Sequence, residues 1–162
     1  MKRLKYLVRS GILGAVILAM IAALVGSVVP AAASSPVDVT IVSEMVFLGD
    51  TGTFEASGPA VEAGLICPQG DVYDTEYRAA GDQSNRFLIL FVHKLFVCAN
   101  GTGSFEMDLR VWISAPLESK GTWRIVEGEG PYERLHGNGK LTANRASENT
   151  VIDLYTGSLH ND

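Results

Sequence analysis

The sequence predicts an all-β fold, a single closed or nearly closed antiparallel barrel of about eight strands with one short helical turn near Pro131–Leu135. Three observations lead there. From Val37 onward, apolar and polar residues alternate along short runs, and no window sustains the apolar period of a helix. Clusters of Gly, Pro, Asn and Asp separate the runs by short connections, the order that suits antiparallel neighbours. The stretch Gly121–Ala143, GTWRIVEGEGPYERLHGNGKLTA, then places Gly128, Gly130, Gly137 and Gly139 where a small barrel turns a corner. Closure is favoured over a sandwich because it removes exposed strand edges. Eight strands leave an interior either just filled by side chains or able to hold one small ligand.

Residues 1–33 read as a secretory signal peptide and 34–162 as the barrel domain. Lys2, Arg3, Lys5 and Arg9 precede an uncharged apolar run from Gly11 to Val29, and Ala31-Ala32-Ala33 forms a small-residue exit. Cleavage is expected near Ala33, placing the mature protein outside the cell or in the cell envelope. The rival is an uncleaved anchor, since the run approaches the roughly 20 apolar residues that span a bilayer. No cysteine lies near the exit, which argues against a lipid anchor.

Along the mature chain, Val37 to Leu48 alternates as a long half-buried strand. Gly49-Asp50 and Gly52 turn it into a short strand around Phe54. Gly58-Pro59 is followed by an extended segment from Val61 to Cys67, a turn over Pro68–Asp71, a strand from Val72 to Ala79 and a polar turn over Gly81–Asn85. Arg86 to Cys98, RFLILFVHKLFVC, is apolar on both faces, so it should be covered on two sides: by the barrel interior, and by a helix, a long loop or a neighbouring subunit. Asn100-Gly101 is a strong hairpin signal. Phe105 to Ile113 alternates with one wet face, Pro116–Lys120 is a turn, and the last strand runs from about Thr150 to Thr156. In the corner, Pro131 suits the first position of a helical turn. Gly137 and Gly139, inside a strand, mark a bend or a close backbone approach.

Charge narrows the function classes. The mature segment carries all 18 acidic residues against nine basic ones, a formal net charge of −9. Such a surface repels nucleic acid and anionic lipid. Its two cysteines, Cys67 and Cys98, read as one disulfide in an oxidising compartment, stabilising the fold by about 3–4 kcal/mol in the chain-entropy model. Neither has a second ligand at metal-site spacing, and no motif implies a cofactor.

The candidate ligand-binding residues are Tyr77, Arg78, His93 and Trp123. His93 lies mid-strand in an apolar run, which invites a general-base reading; beside Lys94 it also reads as the mark of a local bulge or of a strand nearing an exposed end. Glu76 and Arg78 share one face of a strand: facing inward they are the polar handles of a pocket, facing outward they are surface. Parity does not decide, because a bulge flips the assignment. Trp123 and Tyr77, with Trp112, Tyr73 and Tyr155, serve as ligand-stacking groups or as packing. Glu127, Glu129 and Glu133 lack the loop spacing of a calcium site. His136 reads as turn geometry, and His160 lies near a terminus expected to fray.

Two segments carry a resemblance. VHKLFVCANGTGSFEMDL (Val92–Leu109) and GTWRIVEGEGPYERLHGNGKL (Gly121–Leu141) resemble a group of exported bacterial proteins similar to the barrel shared by plant allene oxide cyclases and dirigent proteins. Cys98, Gly101, Gly103, Phe105, Gly121, Thr122, Trp123, Gly128, Gly130, Tyr132, Leu135, Gly137 and Gly139 match the pattern, as does LICPQG around Cys67. Asn100 and Glu129 depart from it, both in turns. The resemblance implies a barrel, a homo-oligomer (trimers in plant members) and small apolar molecules in the interior. Three readings follow: a secreted barrel binding a small apolar molecule, an envelope interaction module with a filled barrel, or an isomerase or cyclase.

Overall fold

The computed structural model describes residues 35–46, 49–82, 87–114 and 118–162. The targeting segment read over 1–33 lies outside them, as do Phe47 and Leu48, most of the polar turn after Asp82, and Pro116. The remainder is one closed barrel of eight strands. They are β1 (Val37–Val46), β2 (Thr51–Ser57), β3 (Gln69–Asp82), β4 (Phe87–Cys98), β5 (Ser104–Ser114), β6 (Glu118–Gly128), β7 (Leu135–Arg145) and β8 (Thr150–Asn161). Each strand pairs antiparallel with the next, and β1 closes on β8 from Val37↔Leu159 to Val46↔Thr150.

Several boundaries differ from expectation, each for a physical reason. Val61–Cys67 is not a strand: Pro59 opens a four-residue helix, α1 (Pro59–Glu62), which ends at Gly64 with φ +70°. The turn expected at Pro68–Asp71 is already β3 from Gln69, because Gln69–Tyr73 pairs with β2. β3 also runs through Gly81 and Asp82, and β6 starts at Glu118, held in each case by the neighbouring strand. β8 extends to Asn161, so His160 is paired opposite His136 and not frayed. The helical turn of the corner is a 3-10 turn over Gly130–Tyr132, one residue earlier than Pro131 alone implies, with Gly130 at φ +65°.

Alternation sends one side of every strand inward. At the end of the barrel that holds α1 and the 3-10 turn, Phe54, Phe96 and Phe105 are almost fully buried. Phe96 and Phe105 stack at 4.9 Å, Phe54 meets Phe96 edge-on at 5.1 Å, and Tyr132 caps Phe105 at 6.0 Å. Burial of each such side chain contributes about 2–3 kcal/mol. The disulfide Cys67–Cys98 staples the segment after α1 to the end of β4. The Tyr132 hydroxyl lies 3.4 Å from Cys98 Sγ and 3.3 Å from Thr102 Oγ1. Asn100 Oδ1 accepts from the backbone N–H and the hydroxyl of Thr102, which sets the β4–β5 hairpin.

The corner glycines act through close approach. Trp123 lies inside the barrel against β7 and β8: a Cβ at Gly139 would fall 2.7 Å from its Nε1, and one at Gly157 2.7 Å from its ring. Its Nε1–H donates to the Lys140 carbonyl at 3.1 Å. A Cβ at Gly137 would strike Leu159. The outer side of β4 is not covered by α1 or the 3-10 turn, which sit against other strands. Instead Phe91 is half-exposed and Arg110 extends over it and over Trp112, 5.9 and 5.4 Å from the ring centroids.

Candidate functional site

Two polar clusters stand out, one inside the barrel and one on its outer wall, and the parity of β4 separates them. Val92, Lys94, Phe96 and Cys98 point inward; Phe91, His93 and Leu95 point outward. The adjacent pair His93-Lys94 therefore splits across the wall. The irregularity expected beside it is on the partner strand: β3 carries a bulge between Asp74 and Glu76, so Asp74 pairs with Lys94 while Glu76 pairs with His93.

Inside, the Lys94 side chain is only 4% exposed. Its Nζ donates to Asp74 Oδ1 at 2.6 Å and stands 3.5 Å from Asp153 Oδ2. Asp153 also accepts from the Tyr155 hydroxyl at 2.9 Å and from Ser43 Oγ at 3.5 Å. Complete burial, reinforced by the charge of Asp153, pushes the Tyr155 phenol well above its ordinary value. Tyr155 therefore stays protonated and serves as a donor. Buried charges without partners cost several kcal/mol each, and here every one is bonded. The network sits on top of the aromatic plug. Beyond it, toward the ends of β1, β3, β5 and β7, the inner wall carries Leu90, Ile113, Ala143 and Val151, all half-buried.

Outside, His93 is held from both sides, Nδ1 by Asp108 at 2.8 Å and Nε2 by Glu106 at 2.6 Å. Arg124 pairs with the other oxygen of Asp108 at 2.7 Å. Burial opposes charge on the imidazole, but the hydrogen bonds and negative charges of Asp108 and Glu106 outweigh it and raise the His93 pKa. The bond from His93 and the pairing with Arg124 hold Asp108 below the usual carboxylate range, against a smaller opposing effect of burial. The cluster forms one side of a groove of about 420 Å³ across β3–β6.

The four sequence-predicted ligand residues do not converge on one point. Trp123 is buried in the barrel, and Tyr77 is on the inner side of β3 beyond the bulge, where it is 61% exposed. Arg78 and His93 face outward and line the groove, which reaches the strand segment of Trp123 from the other side. The ion-paired His93 has both ring nitrogens occupied, so as built it is a charge holder and not a free base. Among the described residues no group of three or more His, Cys, Asp or Glu is arranged to hold a metal ion. Sequence reasoning missed Lys94, Asp74, Asp153 and Tyr155 as a unit. The available signal was Ser43, a hydroxyl in the otherwise apolar inward row of Val39, Ile41 and Met45. The chain matches no family model, no curated protein and no solved structure.

Proposed function

We propose that this is an exported, non-catalytic barrel that takes a small apolar molecule into its mouth, with the molecule's single polar group turned toward Asp74 and Lys94. One observation carries the reading: half-buried apolar side chains (Leu90, Ile113, Ala143, Val151) line the inner wall above an ionic floor whose Asp74 is still 26% exposed. Sites for small molecules combine such an apolar lining with a few convergent polar groups. Lys94, Asp153 and Tyr155 are already bonded within the floor, and Asp74 keeps exposed area for one further hydrogen bond, which suits holding a polar group. Export rests on the basic, apolar and small-residue order of the first 33 residues, and the disulfide is consistent with an oxidising compartment.

A second reading has its own support. The plug of Phe54, Phe96, Phe105 and Tyr155 fills the other half of the interior, as a barrel that works only through its outer wall would require. Two measurements separate them. Native mass spectrometry of the exported protein should show a co-purified small molecule. Titration with the neutral probe N-phenyl-1-naphthylamine should saturate, and Ala143→Phe, which fills the mouth, should abolish the signal without lowering the melting temperature. Absence of both a bound molecule and saturation, or equal probe binding by Ala143→Phe, would discard the mouth as a site.

A further inference from the structure

The outer groove has a composition unlike the mouth, and its argument is independent of the reading above. Register aligns Arg78, Phe91, Arg110 and Thr122 in one row across β3–β6. The next row is Glu76, His93, Asp108 and Arg124. Both rows face outward and line the groove. Neighbouring strands lie about 4.8 Å apart, so Arg78 and Arg110 are rooted roughly 10 Å apart on either side of the Phe91 ring.

The two rows differ in how their charge is used. In the second, Asp108 is shared by His93 and Arg124, and His93 is also held by Glu106. In the first, neither arginine meets a carboxylate at ion-pair distance among the described residues; Arg110 instead lies over Phe91 and Trp112. An acidic chain thus keeps two guanidinium groups free of acidic partners on one groove, with a half-exposed aromatic ring between them. Paired guanidinium forks suit a carboxylate, which they bind with directed, charge-assisted hydrogen bonds. Phe91 is the one apolar side chain in either outward row, so a hydroxyl-rich body fits better than an apolar one.

We propose that this groove binds an acidic sugar. The carboxylate sits between Arg78 and Arg110, the C–H face of the sugar ring lies on Phe91, and hydroxyls reach Thr122 and the Glu76–Asp108 row. The test is isothermal titration of the exported protein with tri-galacturonate, and with uncharged maltotriose, at low salt. Saturable binding of the first and none of the second is expected. Arg78→Gln and Arg110→Gln, both at exposed positions, should each weaken binding about tenfold or more while the melting temperature holds. Lys140→Gln, on β7 outside the groove, and Ala143→Phe, in the mouth, should leave it unchanged. Lack of saturable binding, equal binding of maltotriose, or affinity untouched in both arginine variants overturns the assignment. Loss of binding in Ala143→Phe would do so too, by moving the sugar to the mouth.

Discussion

Replacing Lys94 with methionine tests the ionic floor most directly. The substitution keeps the length and apolar stem of the side chain and removes only the ammonium group, which is 4% exposed. Removing one partner of a fully buried ion pair costs about 3–5 kcal/mol, because the other charge stays behind uncompensated. Two features lower that figure here. Asp74 is 26% exposed and can be rehydrated, and Asp153 keeps its bonds from Tyr155 and Ser43. A loss of about 2–3 kcal/mol is therefore expected, or a fall of roughly 6–15 °C in melting temperature for a domain of this size. Urea unfolding followed by circular dichroism and tryptophan emission should show a lower midpoint with an unchanged slope. Adding Asp153→Asn removes the stranded charge, so the double variant should lose less than the sum of the single losses. If Lys94→Met unfolded at the same urea concentration as the parent, or a higher one, the ammonium would not be compensating buried carboxylates and the floor would lose its basis.

The other predictions concern the staple, the glycines and the outer cluster. Cys67→Ala and Cys98→Ala should each lower stability by about 3–4 kcal/mol in chemical denaturation, and the double variant should add little; unequal or additive losses would contradict a single shared bond. Gly139→Ala should prevent stable folding, since its Cβ would collide with the Thr156 carbonyl oxygen. Gly64→Asn should change stability by less than about 1 kcal/mol, because φ is +70° with open space around it and Asn tolerates that conformation; equal expression and melting of the two variants would refute the contrast. His93→Gln should matter most between the ordinary pKa values of 3.8 for Asp108 and 6.5 for His93. The raised His93 pKa adds stability that is complete below 6.5 and fades as pH rises through the folded value. The lowered Asp108 pKa adds stability that is complete above 3.8 and fades as pH falls through its folded value. Solvent screening limits the effect to about 1 kcal/mol. The gap between parent and variant should narrow as pH rises through the folded His93 value, and a constant gap at all pH values would disprove the linkage.

Much of the fold was legible because its causes are local. The period-two pattern of Phe105–Ile113 can satisfy water on one side and the core on the other only as a strand. Asn100-Gly101 can close a hairpin because Gly101 accepts φ +70°. Val61–Cys67 misled because a short apolar run does not distinguish a strand from one turn of helix, and Pro59 decided it. The candidate site was legible only in part. Arg78 and His93, two of the candidate ligand residues, line the outer groove, whereas Lys94, next to His93 in sequence, occupies the opposite side of the wall.

What the sequence determined by itself was an all-β chain of about eight short strands, with glycines at its corner and two cysteines to join, since alternation, turn chemistry and cysteine count depend on neighbours along the chain. What only the tertiary structure decided was the facing of each polar residue. The extra residue in β3 between Asp74 and Glu76 shifts the pairing by one, sending Asp74 in to Lys94 and Glu76 out to His93. Closure of β1 on β8 then brings Ser43 opposite Asp153, 110 residues away in the chain, and completes the ionic floor. A charge buried against a partner that distant leaves no periodic trace, because the contact exists only once the barrel has closed.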